Sequence, residues 1–165
     1  MYIVRISFFV IACLLFSSCE LFREDTDQNP HYLQASLDVE PDAVDPGGKF
    51  VAVYRLNNNS DDDMEVISNC AEVARGKIYR NDHLMDFYGT SPFCIERIGF
   101  HEIEAGDTLE KKWTVKAMTV THTNDSADTT FAKPGEYQFN VKHDVYMVDG
   151  REIELPTLQR TIEVK

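Results

Sequence analysis

From Leu33 onward, apolar and polar residues alternate with a period of two, and glycine and proline interrupt the alternation. The stretch LQASLDV places apolar residues on one side of a strand. FVAVYRL repeats this pattern after a segment that contains Pro41, Pro46, Gly47 and Gly48. Further alternating stretches are MEVISNC, LEKKWTVKA, YQFNV, VYMV and QRTIEV. No stretch has helical spacing over more than two turns, so the pattern predicts an all-β fold, an antiparallel β-sandwich of about seven to nine short strands.

Individual residues predict local features of this sandwich. KIYRNDHLMDF is typical of a β-hairpin with Asn81 and Asp82 at its turn, because both residues tolerate positive φ. The single tryptophan, Trp113, is expected to pack in the core between the sheets. Tyr137 follows a Pro-Gly turn, which is the position of a tyrosine corner, where the hydroxyl binds the backbone of the turn. Each of these roles is structural.

The first 18 residues have the order of an export signal. Arg5 precedes the apolar run FFVIACLLF, which is too short to span a bilayer and is followed by small residues. LFSSC resembles the lipobox of bacterial lipoproteins, in which the Cys receives a diacylglyceryl group and becomes the new amino terminus. We therefore predict a signal peptide at 1–18, lipidation of Cys19, an acidic tether at 19–32 and one β-sandwich domain at 33–165. The alternative is an ordinary cleaved signal in which Cys19 is incidental.

The net charge limits the partners of the mature protein. Arg5 is the only charged residue among the first 18, so removal of the signal leaves 15 basic and 28 acidic side chains, a formal net charge of −13. Such a chain repels nucleic acid and anionic lipid surfaces. We predict a protein exported and lipid-anchored to the bacterial cell envelope, with a protein or glycan as its partner. Glu20, rather than Asp, follows Cys19 and gives no inner-membrane retention signal, which favours the outer membrane.

Cys70 and Cys94 are the cysteines that remain once Cys19 is lipidated and the signal is removed. Two thiols in an oxidising compartment predict a disulfide rather than a redox or zinc site, because two sulfurs cannot complete a tetrahedral zinc site. Closing the loop from residue 70 to residue 94 would contribute about 3 kcal/mol to stability.

The sequence carries no recognisable catalytic or metal-binding motif. The histidines that lack ligand spacing are His31, His83, His101, His122 and His143. There is no Gly-x-Ser-x-Gly, so we predict a protein without enzymatic activity, cofactor or metal. The run NNNSDDDME supplies hard oxygen donors without the Gly and Glu of an EF-hand loop, so a calcium site is a further alternative to a solvated turn. Its candidate ligands are Asp61, Asp62, Asp63 and Glu65.

Four blocks of the sequence resemble the intracellular proteinase inhibitor domain of bacilli. The blocks are YRLNNNSDDDMEV, IYRNDHLMDFYG, IEAGDTLEKKWTV and KPGEYQFNV, within the chain from Phe50 to Val148. The resemblance implies an immunoglobulin-like sandwich and, as an alternative function, proteinase inhibition. This chain departs from that family because it is exported and lipidated, carries Cys70 and Cys94, and has a long polar insertion, MTVTHTNDSADTTFAKPGEY.

Two segments are candidate binding loops. FYGTSPFC contains Ser91, Pro92 and Phe93 ahead of Cys94, and it is either a stiff inhibitor-like loop or a strand connection that the disulfide stabilises. The segment 118–135, rich in Thr, Asn and Asp, is predicted as a long loop because neither core nor turn requirements explain its composition. Its candidate contact residues are Asn124, Asp125 and Asp128. The leading function is a non-enzymatic envelope lipoprotein whose immunoglobulin-like domain binds a partner through its loops.

Overall fold

The computed structural model describes residues 32–90, 97–122, 126–142, 146–148 and 150–165. These residues form strands and turns, with no helix among them and hence none that could cross a membrane. The strands are β1 Leu33–Glu40, β2 Ala43–Val44, β3 Lys49–Asn58, β4 Met64–Ser68, β5 Arg75–Arg80, β6 His83–Met85, β7 Gly99–Ile103, β8 Thr108–Lys116, β9 Met118–His122, β10 Ala127–Phe131, β11 Gly135–Lys142, β12 Tyr146–Val148, β13 Arg151–Ile153 and β14 Leu158–Val164. The predicted all-β fold is confirmed.

One sheet of the sandwich has the strand order β1-β3-β8, with all pairs antiparallel. Its central strand, β3, alternates as the sequence predicts, because every second side chain is buried and the residues between them are more exposed. The buried side chains are Phe50, Ala52, Tyr54 and Leu56, each at most 1% exposed. Burial of such a row of apolar side chains is the main stabilising contribution of this sheet.

The opposite sheet has the order β2-β14-β11-β5-β6, and a smaller sheet has the order β13-β12-β4-β7. The smaller sheet continues the larger one beyond a break. Arg75, the first residue of β5, pairs with Lys142, and Ser68, the last residue of β4, pairs with Tyr146. Three long strands are therefore each divided into two, as β4 with β5, β11 with β12, and β13 with β14. This division is the main reason why the described residues hold 14 strand segments rather than about seven to nine.

Three aromatic rings join the two facing sheets. Phe139 on β11 lies 6.3 Å from Phe50 on β3, edge to face, and 5.7 Å from Trp113 on β8. Trp113 is 5% exposed, which confirms its predicted place in the core. Aromatic pairs in these geometries contribute about 0.5–1.5 kcal/mol each beyond the area that they bury.

A second internal contact joins the smaller sheet to β3. The buried Tyr54 is hydrogen-bonded to Tyr146, which in turn donates to the backbone carbonyl of Val73. Burial, followed by the interactions with Tyr146, raises the pKa of Tyr54 far above its ordinary value. Both hydroxyls therefore have partners inside the core, as buried polar groups require.

The topology is immunoglobulin-like. The order β14-β11-β5-β6 corresponds to strands G, F, C and C′ of such domains, and β1-β3-β8 corresponds to A, B and E. The hydroxyl of Tyr137 donates to the carbonyl of Lys133 at 2.8 Å, which confirms the tyrosine corner. The predicted hairpin is also confirmed, because Arg80 pairs with His83 around a turn in which Asn81 and Asp82 have φ of 48° and 63°.

Candidate binding surfaces

The segment predicted as a long loop is largely a β-hairpin. β9 and β10 pair antiparallel from Met118 with Phe131 to His122 with Ala127, so the prediction of a loop at 118–135 is wrong for these two strands. The alternation did not predict the hairpin because no side chain of β9 or β10 is fully buried. All five residues of β10 are exposed, including Asp128. The other predicted contacts, Asn124 and Asp125, lie outside the described residues.

Backbone hydrogen bonds fix the base of this hairpin to the sandwich. The amide of Val120 donates to the carbonyl of Asp86 at 2.7 Å, and the amide of Ala132 donates to the carbonyl of Ala117 at 2.9 Å. Across the hairpin the hydroxyls of Thr119 and Thr130 are 2.9 Å apart. These bonds hold the base of the hairpin to the sandwich, although the hairpin contributes no fully buried side chain to the core.

The hairpin lies at the end of the sandwich opposite to the start of β1. Leu33 pairs with Asn58, and the neighbouring Asn57 pairs with Thr108 at the start of β8. β8 then runs the length of the sheet, and the chain bends at Ala117 before β9 begins. At roughly 3.3 Å per residue, the end of β8 and the base of the hairpin lie about 25 Å from the level of Leu33.

Phe131 lies at the base of the hairpin, where it pairs with Met118. It is 67% exposed, yet its ring covers Gly47, where an added Cβ would lie 2.7 Å from the ring. At the far end of β9, His122 Nε2 lies 3.0 Å from Asp86 Oδ2. The hairpin thus presents an aromatic ring, an imidazole and several threonine hydroxyls to solvent, a mixture that suits contact with a protein or glycan surface.

Most of the other predicted site residues lie outside the described part of the chain. These are Cys19, Ser91, Pro92, Phe93 and Cys94. Cys70 is described; it is 2% exposed and disulfide-bonded. Because Cys94 lies outside the described residues, its pairing with Cys70 stays a prediction.

We expect reduction of a Cys70–Cys94 disulfide to lower the free energy of unfolding by about 3 kcal/mol, because the unfolded chain regains the entropy of the open loop. The β-sheet signal in circular dichroism should persist. Urea unfolding with and without reductant measures the difference, and a chelator, which should have no effect, is the control. Two free thiols in protein taken from the cell envelope would contradict the pairing.

The acidic run after β3 is a turn organised by a buried amide. Asn58 is 0% exposed, and its Nδ2 donates to the carbonyls of Asp62 (2.9 Å), Ile103 (3.1 Å) and Glu104 (3.1 Å). Asp63 accepts a hydrogen bond from the amide of Ala105 at 2.9 Å. The described residues contain no group of three or more His, Cys, Asp or Glu side chains that could hold a metal. The calcium alternative therefore gains no support from the geometry of this turn.

A shallow polar groove of about 230 Å³ lies on the outer face of the larger sheet, beside the Asn81–Asp82 turn. Its other lining residues are Tyr79, Arg80, Glu136, Gln138 and Thr161. The cation in the groove is already engaged, because Arg80 donates to the hydroxyl of Tyr137 at 3.1 Å and to the carbonyl of Pro134 at 2.8 Å. The groove therefore offers no free basic group for an anionic ligand.

The described histidines lie on three different strands, β6, β7 and β9. His83 is exposed at the end of β5-β6, and His122 lies on the hairpin. Burial lowers the pKa of His101 on β7 below its ordinary value, and its Nε2 has no hydrogen-bond partner. His31 and His143 lie outside the described residues. In the described part of the chain, no histidine belongs to a group of three or more side chains that could hold a metal.

Comparisons with known proteins do not assign a family. No protein-family model matches the chain, and no curated protein matches it. Solved structures that match include β-glucosidases from Listeria innocua, in complex with glucose, and from Erythrobacter marinus. Their identities are 13% and 11% and their TM-scores 0.42 and 0.44, over 81% of this chain and 16% of each of theirs. The alkylpurine DNA glycosylase AlkC of Pseudomonas fluorescens, bound to DNA containing an abasic site analog, matches at 11% identity and a TM-score of 0.38, over 81% of this chain and 30% of its own. The chain thus spans less than a third of each of these proteins, and similarities of this size identify neither a family nor an activity.

Proposed function

We propose that this protein is a non-enzymatic lipoprotein of the bacterial cell envelope, anchored to the membrane through Cys19, whose immunoglobulin-like domain binds a protein or glycan through the β9–β10 hairpin. The observation that supports this proposal most directly is the position of the hairpin. It lies at the end of the sandwich opposite to Leu33, where the chain enters the domain from the anchor. An anchored domain would therefore hold this hairpin away from the membrane.

The energetic role of the hairpin also supports a binding function. Ordering the backbone of the hairpin costs about 1–2 kcal/mol of conformational entropy per residue. Because every residue of β10 is exposed, burial of its side chains offsets little of this cost. Exposed segments held by a rigid scaffold are where binding residues concentrate. The groove on the larger sheet is shallow and its arginine is engaged, so a surface contact fits this domain better than a buried small molecule.

Shortening the hairpin tests the proposal. Replacing residues 122–127 with Asn-Gly, together with Asp128→Asn, would close a two-residue turn on the pair Thr121 and Asp128. The Val120 amide donates away from β10 to Asp86, so the next residue, Thr121, faces β10 as such a turn requires. Because the described residues that are removed are exposed, we expect the free energy of unfolding to change by less than about 1 kcal/mol. Capture of the native partner from envelope extracts should be lost. Chemical unfolding and quantitative affinity capture measure the two effects.

A matched control removes the same number of carboxylates at the opposite end of the domain. The shortened hairpin loses Asp125 and Asp128, so the control carries Asp61→Asn and Asp62→Asn and should keep the partner. Retention of the partner by the shortened variant would refute the role of the hairpin. Dose-dependent inhibition in a panel of serine proteases and metalloproteases, lost when Ser91, Pro92 and Phe93 are changed, would instead support the proteinase inhibitor that the family resemblance implies.

A further inference from the structure

The outer face of the smaller sheet carries an apolar row that crosses three strands. Met147 on β12 lies opposite Ile67 on β4, and Ile67 lies opposite Phe100 on β7. Phe100 is 65% exposed, and Ile98, two residues earlier on the same side of the chain, is 62% exposed. We call these four residues the apolar row. Neighbouring exposed side chains of this size on one face are typical of an interaction site.

Among the described residues, the row ends at the last strand of a sheet. β7 pairs with β4 on one side and is the last strand in the order β13-β12-β4-β7. Natural proteins usually protect such an edge with Lys, Pro or a bulge, and the strand GFHEI contains neither Lys nor Pro. An extended peptide could therefore add to β7 as a fifth strand and place its own apolar side chains beside Phe100 and Ile98.

Unpaired carboxylates surround the apolar row. Glu65 and Glu102 lie directly opposite each other on this face, and Glu152 lies opposite Met147. Like charges in this position repel, and none of the ion pairs among the described residues involves these three side chains. On the outer face of the facing sheet, by contrast, Arg55 pairs with both Asp38 and Glu110. A basic partner would relieve the repulsion on the smaller sheet.

We propose that β7 binds an extended segment of a partner protein by strand addition, and that this segment carries apolar residues beside Phe100 and Ile98 and a Lys or Arg beside Glu102. Charge complementarity favours this occupant over two others. A second copy of the chain is strongly acidic, and the tether at 19–32 contains Glu20, Glu24, Asp25 and Asp27 against the single base Arg23. This surface lies on a different sheet from the β9–β10 hairpin, so the inference stands independently of the function proposed above.

The side-chain pattern defines a peptide that serves as the probe. An acetylated peptide Lys-Thr-Lys-Thr-Val-Thr-Val-Thr-Lys-Thr-Lys reads the same in either direction and places Val-x-Val next to Lys on one face. We expect it to bind the full-length product purified from membranes in detergent, with affinity that falls as salt rises. A peptide with Glu in place of every Lys should bind at least tenfold more weakly. A peptide N-methylated at each of its Val and Thr residues should lose binding, because its central residues then present no N–H group to β7 in either chain direction.

Protein variants complete the test. Phe100→Ser and Glu102→Lys should each weaken binding of the probe at least tenfold. Leu84→Ser should not change it, because Leu84, which is also exposed, lies on the other edge strand, β6. Thermal unfolding checks that each variant folds. Equal binding of the Lys and Glu peptides would overturn the inference, as would equal binding of the methylated and unmethylated peptides. A dimer that Phe100→Ser dissociates, or binding that appears only after deletion of residues 20–31, would overturn it by assigning the edge to a second copy or to the tether.

Discussion

Changing Cys19 to Ser should transfer nearly all of the protein from the membrane fraction to the soluble fraction. Two or three acyl chains, at about 0.8 kcal/mol per buried methylene, hold a small domain on a bilayer essentially permanently. A mature chain from Cys19 with a formal net charge of −13 has no comparable attraction to anionic lipid. Membrane flotation followed by immunoblotting measures the change. Mass spectrometry of the mature amino terminus identifies the lipid directly.

Two controls separate the lipid from the apolar signal segment. Cys13→Ser alters a cysteine within the apolar run, upstream of the predicted cleavage point, and should leave the protein on the membrane. Adding Phe16→Ala and Ser18→Ala to the Cys19→Ser variant creates an Ala-Ser-Ala site for ordinary signal cleavage, which prevents retention through an uncleaved signal. An unmodified mature terminus at any residue other than 19 in the unaltered protein would rule out the anchor.

Phe139→Ala should destabilise the domain by about 3–5 kcal/mol, because it removes the ring that contacts both Phe50 and Trp113 and leaves a cavity between the sheets. A loss of this size is a large fraction of the stability of an ordinary domain. Urea unfolding followed by Trp113 fluorescence measures it. Phe131→Ala, at a 67% exposed position, is the matched control and should cost less than about 1 kcal/mol.

A double substitution tests whether the cavity is the cause. A Cβ added at Gly76 would lie 2.4 Å from the ring of Phe139, so Gly76→Ala should be destabilising on its own. In the Phe139→Ala background the added methyl group has room, so the two losses should sum to more than the loss of the double variant. Additive losses would show that the two side chains do not share one space.

The sequence predicted those parts of the fold in which side-chain chemistry and burial agree. In MEVISNC, the alternating Met64, Val66, Ser68 and Cys70 are all buried. The Asn81–Asp82 turn was predictable because few residue types adopt positive φ at low cost. Tyr137 was predictable because a turn followed by Tyr has a single common use in sandwiches of this kind.

The strands that the sequence did not predict are those in which apolar side chains are exposed or no side chain is buried. In β7 the inward positions are Gly99, His101 and Ile103, whereas Phe100 points outward, so the apolar alternation has the wrong phase for a half-buried strand. In β10 no side chain is buried, so no alternation is expected. Both strands are held by backbone hydrogen bonds to a neighbouring strand. Such bonds do not depend on side-chain type, so the sequence pattern does not indicate them. Both surfaces to which we assign binding therefore lay beyond prediction from periodicity.

The antiparallel pairing of β1 with β3 has a mechanical consequence. Their register runs without interruption from Leu33 with Asn58 to Glu40 with Val51. If the chain is anchored through Cys19 and a partner pulls on the β9–β10 hairpin, as we propose, the tension runs parallel to these strands. The inter-strand hydrogen bonds then resist together in shear, whereas a pull across the strands would open them one after another. We expect the domain to yield at higher force along the axis from anchor to hairpin than across it, as a tether between a membrane and a moving partner would require.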